Sequence, residues 1–125
     1  MSSPFSHPET TRQQGQQAER LAQQHLERRG LRLIAQNYRC KTGEIDLIMD
    51  DKGCVVFIEV RMRNNHHFGS GADSVDQRKQ RKLTNTAQHF LQHHANLAKR
   101  PARFDVVSVR KQQHQTEIRW IENAF

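Results

Sequence analysis

Residues 43–63 read GEIDLIMDDKGCVVFIEVRMR. Two apolar runs, 43–49 and 54–62, flank the turn-forming DDKG. The second run is the richest in β-branched and aromatic residues, the types that suit a pleated, half-buried surface. A strand, a tight turn and a second strand make a β-hairpin. Four charged residues sit inside these strands: Glu44, Asp46, Glu59 and Arg61. A charge in a strand of Val, Phe and Ile is costly if buried without a partner. Strand side chains alternate, so Val55, Phe57, Glu59 and Arg61 share one face, and Val56, Ile58 and Val60 the other. A turn centred on Lys52-Gly53 sets Asp46 directly opposite Glu59. Directly paired residues have Cβ atoms about 4.5–5.5 Å apart. Two carboxylates at that separation repel, and a divalent cation between them is the natural remedy. Oxygen ligands favour Mg²⁺ or Mn²⁺. The pairing holds only in this register, since a slip of one residue sends the side chains to opposite faces. The alternative is a structural ion pair of these acids with Arg61 or Arg63.

Upstream, a helix is expected from Thr11 to Arg29. Thr11 and Gln14 have the spacing of a capping box, Ala18, Leu21, Ala22, His25 and Leu26 form the apolar stripe, and Gly30 supplies the stop. Glu19 lies on the border of that stripe, where it faces either the sheet or solvent. LRLIAQNY, 31–38, reads as a short strand or extended segment. Downstream, RNNHHFGSGAD, 63–73, reads as a mobile loop. Ser74 and Gln77 have capping-box spacing and open a second long helix, expected to run to about Ala98 before Pro101. Val75, Lys79, Lys82, Leu83, Thr86 and Phe90 fall on one face of it, which puts Lys79 and Lys82 on the inward side. Arg78 and Arg81 point elsewhere, and the bland alternative is a solvated basic run of all four. RFDVVSV, 103–109, and EIRWI, 117–121, are strands. A helix, three strands, a helix and two strands make an α/β fold, in two or three layers around a central mixed sheet. Residues 1–10 read as a disordered tail and residues 11–125 as a single domain.

The chain has 125 residues, enough for one domain with a real core. Lys and Arg number 20 against 13 Asp and Glu, a net charge of +7, and mean hydropathy is −0.92. That balance points to a polyanionic partner, usually nucleic acid. Residues 61–82 concentrate it, with six cations (Arg61, Arg63, Arg78, Lys79, Arg81, Lys82) against Asp73 and Asp76. Two cysteines exclude a disulfide-rich scaffold and a four-cysteine metal site. No run reaches the length of a membrane span, and MSSPFSHPETT lacks the basic and apolar regions of a secretory signal. A cytoplasmic protein is therefore expected. The histidine pairs 66–67 and 93–94 are a poor zinc site, because neighbours on a helix diverge by about 100°.

Together these segments resemble the YraN family, uncharacterised bacterial proteins with an expected endonuclease-like fold. The resemblance covers about residues 15–125. It rests on G-x-x-A-E (Gly15–Glu19), N-Y-R followed by G-E-I-D-L-I (Gly43–Ile48), and V-F-I-E-V-R (Val56–Arg61). K-x-x-K-L (Lys79–Leu83), R-F-D-V-V (Arg103–Val107) and the closing N-A-F (Asn123–Phe125) complete it. More remotely the chain is similar to the PD-(D/E)xK nucleases, restriction-endonuclease-like in fold, and especially to archaeal Holliday-junction resolvases. In those, a helix glutamate, a strand aspartate and a Glu-x-Lys strand build the metal site. The resemblance implies that Glu19, Asp46 and Glu59 hold Mg²⁺ or Mn²⁺, and Arg61 stands where the pattern has lysine.

The leading expectation is a metal-dependent nuclease acting on DNA, branched or structured DNA included. Glu19, Asp46, Glu59, Arg61 and Lys79 would form its catalytic set. Arg63, Arg78, Arg81 and Lys82 would bind the flanking phosphates. Arginine cannot serve as a base, because its pKa exceeds about 12, but it can clamp a phosphate, and Lys79 can supply the missing ammonium. The second reading is a non-catalytic nucleic-acid-binding module that kept the fold and the charge. The third is an interaction subunit whose basic surface meets an acidic protein. A homodimer is compatible with each.

Overall fold

The computed structural model describes residues 11–63, 75–112 and 114–125. The expected N-terminal tail, the loop after Arg63 and the Ser74 cap lie outside the described residues. Five strands form one sheet: β1 (Arg32–Cys40), β2 (Gly43–Asp51), β3 (Cys54–Arg63), β4 (Ala102–Lys111) and β5 (Thr116–Ile121). They stand in sequence order. β3 and β4 are parallel and the other neighbours antiparallel, so the sheet is mixed. The helix α2 (Gln77–Gln92) and the single turn α3 (Ala95–Ala98) fill the crossover between β3 and β4.

One long helix packs on each face. Ala18, Ala22 and Leu26 of α1 (Thr11–Arg28) meet Leu47, Met49, Val56, Ile58, Val107 and Val109. On the other face Leu83, Ala87 and Phe90 of α2 meet Ile45, Ile48, Val55, Phe57 and Val106. Phe90 sits edge-on to Phe57 and Tyr38, with ring centroids 6.1 and 5.1 Å apart. The architecture is three-layered, α/β/α.

Local chemistry explains the junctions. Gly30 ends α1 at φ 97°, with Leu31 N–H donating to the Leu26 carbonyl at 3.1 Å and Gly30 N–H to that of Glu27 at 3.0 Å. This is the Schellman arrangement, and its Leu26 and Leu31 both belong to the α1-side core. Lys52 and Gly53 both have positive φ, 52° and 94°, as a two-residue hairpin turn with the sheet's twist requires. Asp50 Oδ1 accepts the Gly53 N–H at 2.8 Å. The resulting register pairs Leu47 with Ile58 and Met49 with Val56, as expected from the sequence. The second helix departs from expectation at both ends. Its N-cap is Asp76, whose Oδ1 accepts the Lys79 N–H at 2.8 Å. It stops at Gln92, because His93 and His94 fold their imidazoles back onto the carbonyls of His89 and Phe90, at 2.8 and 2.7 Å. Such C-terminal caps satisfy carbonyls that the helix leaves open.

The R-F-D and N-A-F motifs lock the chain's end. Asp105 is fully buried on β4. It accepts from Arg103 Nε at 3.0 and 3.2 Å, from the Trp120 indole at 2.9 Å and from the Asn123 N–H at 3.0 Å. Arg103 reaches on to Asp51 at 2.8 Å, and Phe125 stacks on Phe104 at 4.7 Å. Removing one side of a buried, hydrogen-bonded pair leaves the other charge unpaired. Asp105→Ala is therefore expected to cost about 3–5 kcal/mol, read as a lower urea midpoint with an unchanged slope.

Candidate functional site

The β2–β3 ladder ends at Leu47↔Ile58, one step before Asp46 would meet Glu59. At that step the Val60 N–H donates to Asp46 Oδ2, at 2.8 Å, instead of to a main-chain carbonyl. The strand on the other side is irregular at the same level. Asn37, which the β1–β2 register would set against Asp46, has φ 51° and is missing from the paired residues. Alternation in β2 slips here too. Ile45 faces the α2-side core and Leu47 the α1-side core, although residues two apart in a regular strand share a face. Irregularities of this kind re-aim side chains next to functional sites. The splayed end of the sheet becomes a notch open to both helices.

The notch encloses about 380 Å³ and is lined from four elements. α1 contributes Gly15, Ala18 and Glu19; β2 contributes Gly43, Glu44 and Asp46; β3 contributes Glu59, Val60 and Met62; α2 contributes Lys79, Lys82 and Leu83. Gly15 stands inside a helix, where glycine costs up to about 1 kcal/mol relative to alanine. A Cβ there would meet nothing within 4 Å, so packing does not demand glycine; its effect is to leave that wall open. Gly43 is different. Its φ is 149°, and a Cβ would press on Thr86 Oγ1 at 3.3 Å, so α2 approaches the start of β2 closely only because no side chain intervenes.

Four carboxylates share this small volume. Lys79 Nζ reaches Glu59 Oε2 at 2.9 Å, and Glu59 is buried. Arg39 Nε reaches Glu44 Oε2 at 3.3 Å. The Asn37 amide, oriented by its neighbours, donates to Glu44 Oε2 at 3.0 Å and to Glu19 Oε1 at 3.1 Å. Asp46 has no cation of its own in this set. Burial, and next the charge of Glu59, push its carboxyl up to about 8; the Val60 N–H opposes the rise, and Glu19 and Glu44 add to it. Glu19 is also raised, by burial first and Glu44 second, against hydrogen bonds from Asn37 and with Asp46. The notch holds more negative charge than its own cations balance.

The expected site residues distribute as follows. Glu19, Asp46, Glu59, Lys79 and Lys82 line the notch. Arg61 stands further along β3, half-buried and paired with Ser108 of β4, outside that lining; Arg63 pairs with Arg110. Arg78 and Arg81 are exposed on α2, and Arg81 lines a separate surface hollow with Gln77, Gln80, Thr84 and Asn85. Sequence reasoning gave no role to Asn37, although N-Y-R is a quoted motif, and none to Glu44 beyond its strand position. An asparagine inside a strand, a residue type that tolerates left-handed backbone, was the available signal for Asn37.

A hard divalent cation suits this donor set in kind. Its charge would offset the burial and the mutual repulsion that raise Asp46 and Glu19, and all the donors are oxygens. Among the described residues, no three His, Cys, Asp or Glu side chains are already set around one point to hold a metal. A cation at Glu59 would share that carboxylate with Lys79, which holds only Oε2, or displace it.

The raised carboxyls make a thermodynamic prediction. In the unfolded chain Asp46 loses its proton near 3.8, in the folded protein only near 8. Between those values the folded state binds the extra proton, so the stability Asp46 contributes without metal is fully present below the lower value and is lost as pH rises through the upper one. Melting curves in EDTA should show that fall. Asp46→Asn, which can still accept the Val60 N–H, should flatten it and melt several degrees above wild type at pH 8.

No helix of the described residues is long and apolar enough to cross a membrane. A search of solved structures finds Pyrococcus furiosus SfsA in complex with Ca²⁺ at TM-score 0.39 and 15% identity, covering 90% of this chain and 63% of that one, under two thirds of its length. A UPF0102 protein of Pseudomonas fluorescens is 50% identical over 90% of this chain and 92% of its own. One from Saccharophagus degradans is 53% identical over 89% and 91% of the two chains, and one from Nitrosococcus oceani 47% identical over 94% and 95%. The family model for UPF0102 matches residues 18–109. The chain thus belongs to the uncharacterised protein family UPF0102, the family to which its YraN-like motifs pointed.

Proposed function

We propose that this protein is a metal-dependent nuclease that hydrolyses phosphodiester bonds in DNA. One observation carries the reading: Asp46, Glu59 and Glu19, from two strands and a helix, meet in a notch where burial first and the neighbouring carboxylates second have raised two of the three carboxyls. Uncompensated acids in a cleft are a functional pattern, since a purely structural cluster gains nothing from leaving them unbalanced.

Asp46 and Glu59 would hold the cation, with Glu19 ligating directly or through water. When bound, the ion would lower the pKa of a water and neutralise charge building on the scissile phosphate. Lys79, released from Glu59, turns its ammonium to that phosphate and takes the place of the motif lysine. Arg61 offers a planar fork to a neighbouring phosphate oxygen and accepts no proton. Lys82, Arg63, Arg78 and Arg81 hold the flanking backbone by charge. Gly15 leaves the α1 wall low enough for a nucleic-acid backbone to approach.

A specific observation favours a second reading, a non-catalytic nucleic-acid-binding module. Lys79 already neutralises Glu59, and the acids are not pre-set around a metal. The two readings part in one experiment. The protein is incubated with branched, flapped and linear DNA, and with RNA, in Mg²⁺ or Mn²⁺ against EDTA. A nuclease cleaves only with the metal, and Asp46→Asn or Glu59→Gln reduces cleavage to background. Those variants keep nucleic-acid binding, because removing a carboxylate does not weaken attraction for phosphate. Lys79→Ala lowers cleavage, and Arg61→Lys keeps or raises it. Absence of cleavage on every substrate, with binding whose log affinity falls against log salt by about 0.9 per phosphate neutralised, selects the module.

A further inference from the structure

A second groove starts where the notch ends. It lies between α1 and β1, holds about 510 Å³, and shares Glu19 with the notch. Amide side chains dominate its walls: Gln16, Gln23 and Gln24 from α1, Gln36 and Asn37 from β1. Its charged residues are Arg20 against Glu19 and Glu27, so it has no positive excess with which to hold phosphate. Gln36 Nε2 donates to Gln23 Oε1 across the groove at 3.3 Å, and Gln23 Nε2 donates to Glu27 at 3.2 Å. Both bonds are long and exposed, so they exchange readily for a ligand's.

An amide presents a donor and an acceptor side by side, which matches the edge of a nucleobase and in particular the N6/N7 edge of adenine. A cluster of amides with no net positive charge suits a neutral base where a basic surface suits the backbone. The notch's own cations, Lys79 and Lys82, stand on its opposite side, on α2. Phosphate and base therefore have separate walls, with the acids between them. A base held in duplex reaches such a groove only after it is unstacked and unpaired, whereas an unpaired base presents all its edges without that cost.

We propose that the α1–β1 groove is a base-binding subsite for an unpaired nucleotide next to the bond acted on, so that the substrate is single-stranded or locally unpaired nucleic acid. The location rests on the nuclease reading; the recognition does not. Glu19, in both cavities, ties base occupancy to the acid cluster. Asn37 holds Glu19 by hydrogen bond and lines the groove, so it serves as a positioning residue between the two.

The test compares two single-stranded DNA oligomers of equal length and charge, one with bases and one with abasic sugars throughout, by fluorescence anisotropy with the intact protein in EDTA at fixed salt. The base-bearing oligomer should bind about tenfold tighter or more, the worth of one good amide–base contact. Gln36→Ala and Gln24→Ala, both exposed positions, should bring that ratio toward one. Equal binding of the two oligomers, or no binding of either, overturns the subsite, as does a ratio that the glutamine variants leave unchanged. Failure of metal-dependent cleavage would remove the nuclease reading while a base-dependent ratio still stood; a ratio of one would remove the subsite while cleavage still stood.

Discussion

Asp46 takes the Val60 N–H with its own carboxylate, and the rest of the site follows from that hydrogen bond. A backbone donor this deep in the sheet must be satisfied. With a side chain supplying the acceptor, β2 and β3 no longer need to stay in ladder contact beyond Leu47↔Ile58. The strands part, Asn37 enters a left-handed conformation beside the break, and the gap admits Glu19 from one helix and Lys79 from the other. A regular hairpin would have kept the two helices' residues on opposite faces of a continuous sheet. The irregularity makes one site out of two faces.

The same bond sets the electrostatics. Asp46 is fixed in place by a main-chain donor, so it cannot swing into solvent to escape Glu59, Glu19 and Glu44. Its ionisation is resisted by burial first and by Glu59 second. Elsewhere the chain treats acids differently. Asp105 is more deeply buried than Asp46, yet it has Arg103, Trp120 and a main-chain N–H around it, and it braces the C-terminal strands. Two strand aspartates in similar apolar surroundings thus have opposite roles. The number of donors each one meets separates them.

Much of the fold was legible in the sequence. The period-2 pattern of 54–62, the DDKG turn and Gly30 predict strands, hairpin register and helix stop that the structure contains, because each depends on residues a few positions apart. The end of α2 was not. Its helical pattern continues through Ala95 and Leu97, and only the imidazoles of His93 and His94 turning onto the last carbonyls explain the break. Its start was misplaced because Asp76 and Ser74 are both good caps, and the choice between them depends on where α2 docks.

The sequence by itself determined which residues are charged inside strands and, for a turn centred on Lys52-Gly53, that Asp46 and Glu59 would lie at one level of a hairpin; it left Lys79 between an inward position and a solvated basic run. The first two follow from chain geometry, in which spacing converts directly to direction. Only the tertiary structure decided that the ladder breaks at Asp46, that Glu19 and Asn37 join the acids, that Lys79 meets Glu59, and that Arg61 stands outside the notch. Those outcomes depend on how two helices, distant in sequence from the hairpin, settle on its opposite faces. No local spacing encodes that, because the deciding energies are burial and charge repulsion among groups brought together only by packing.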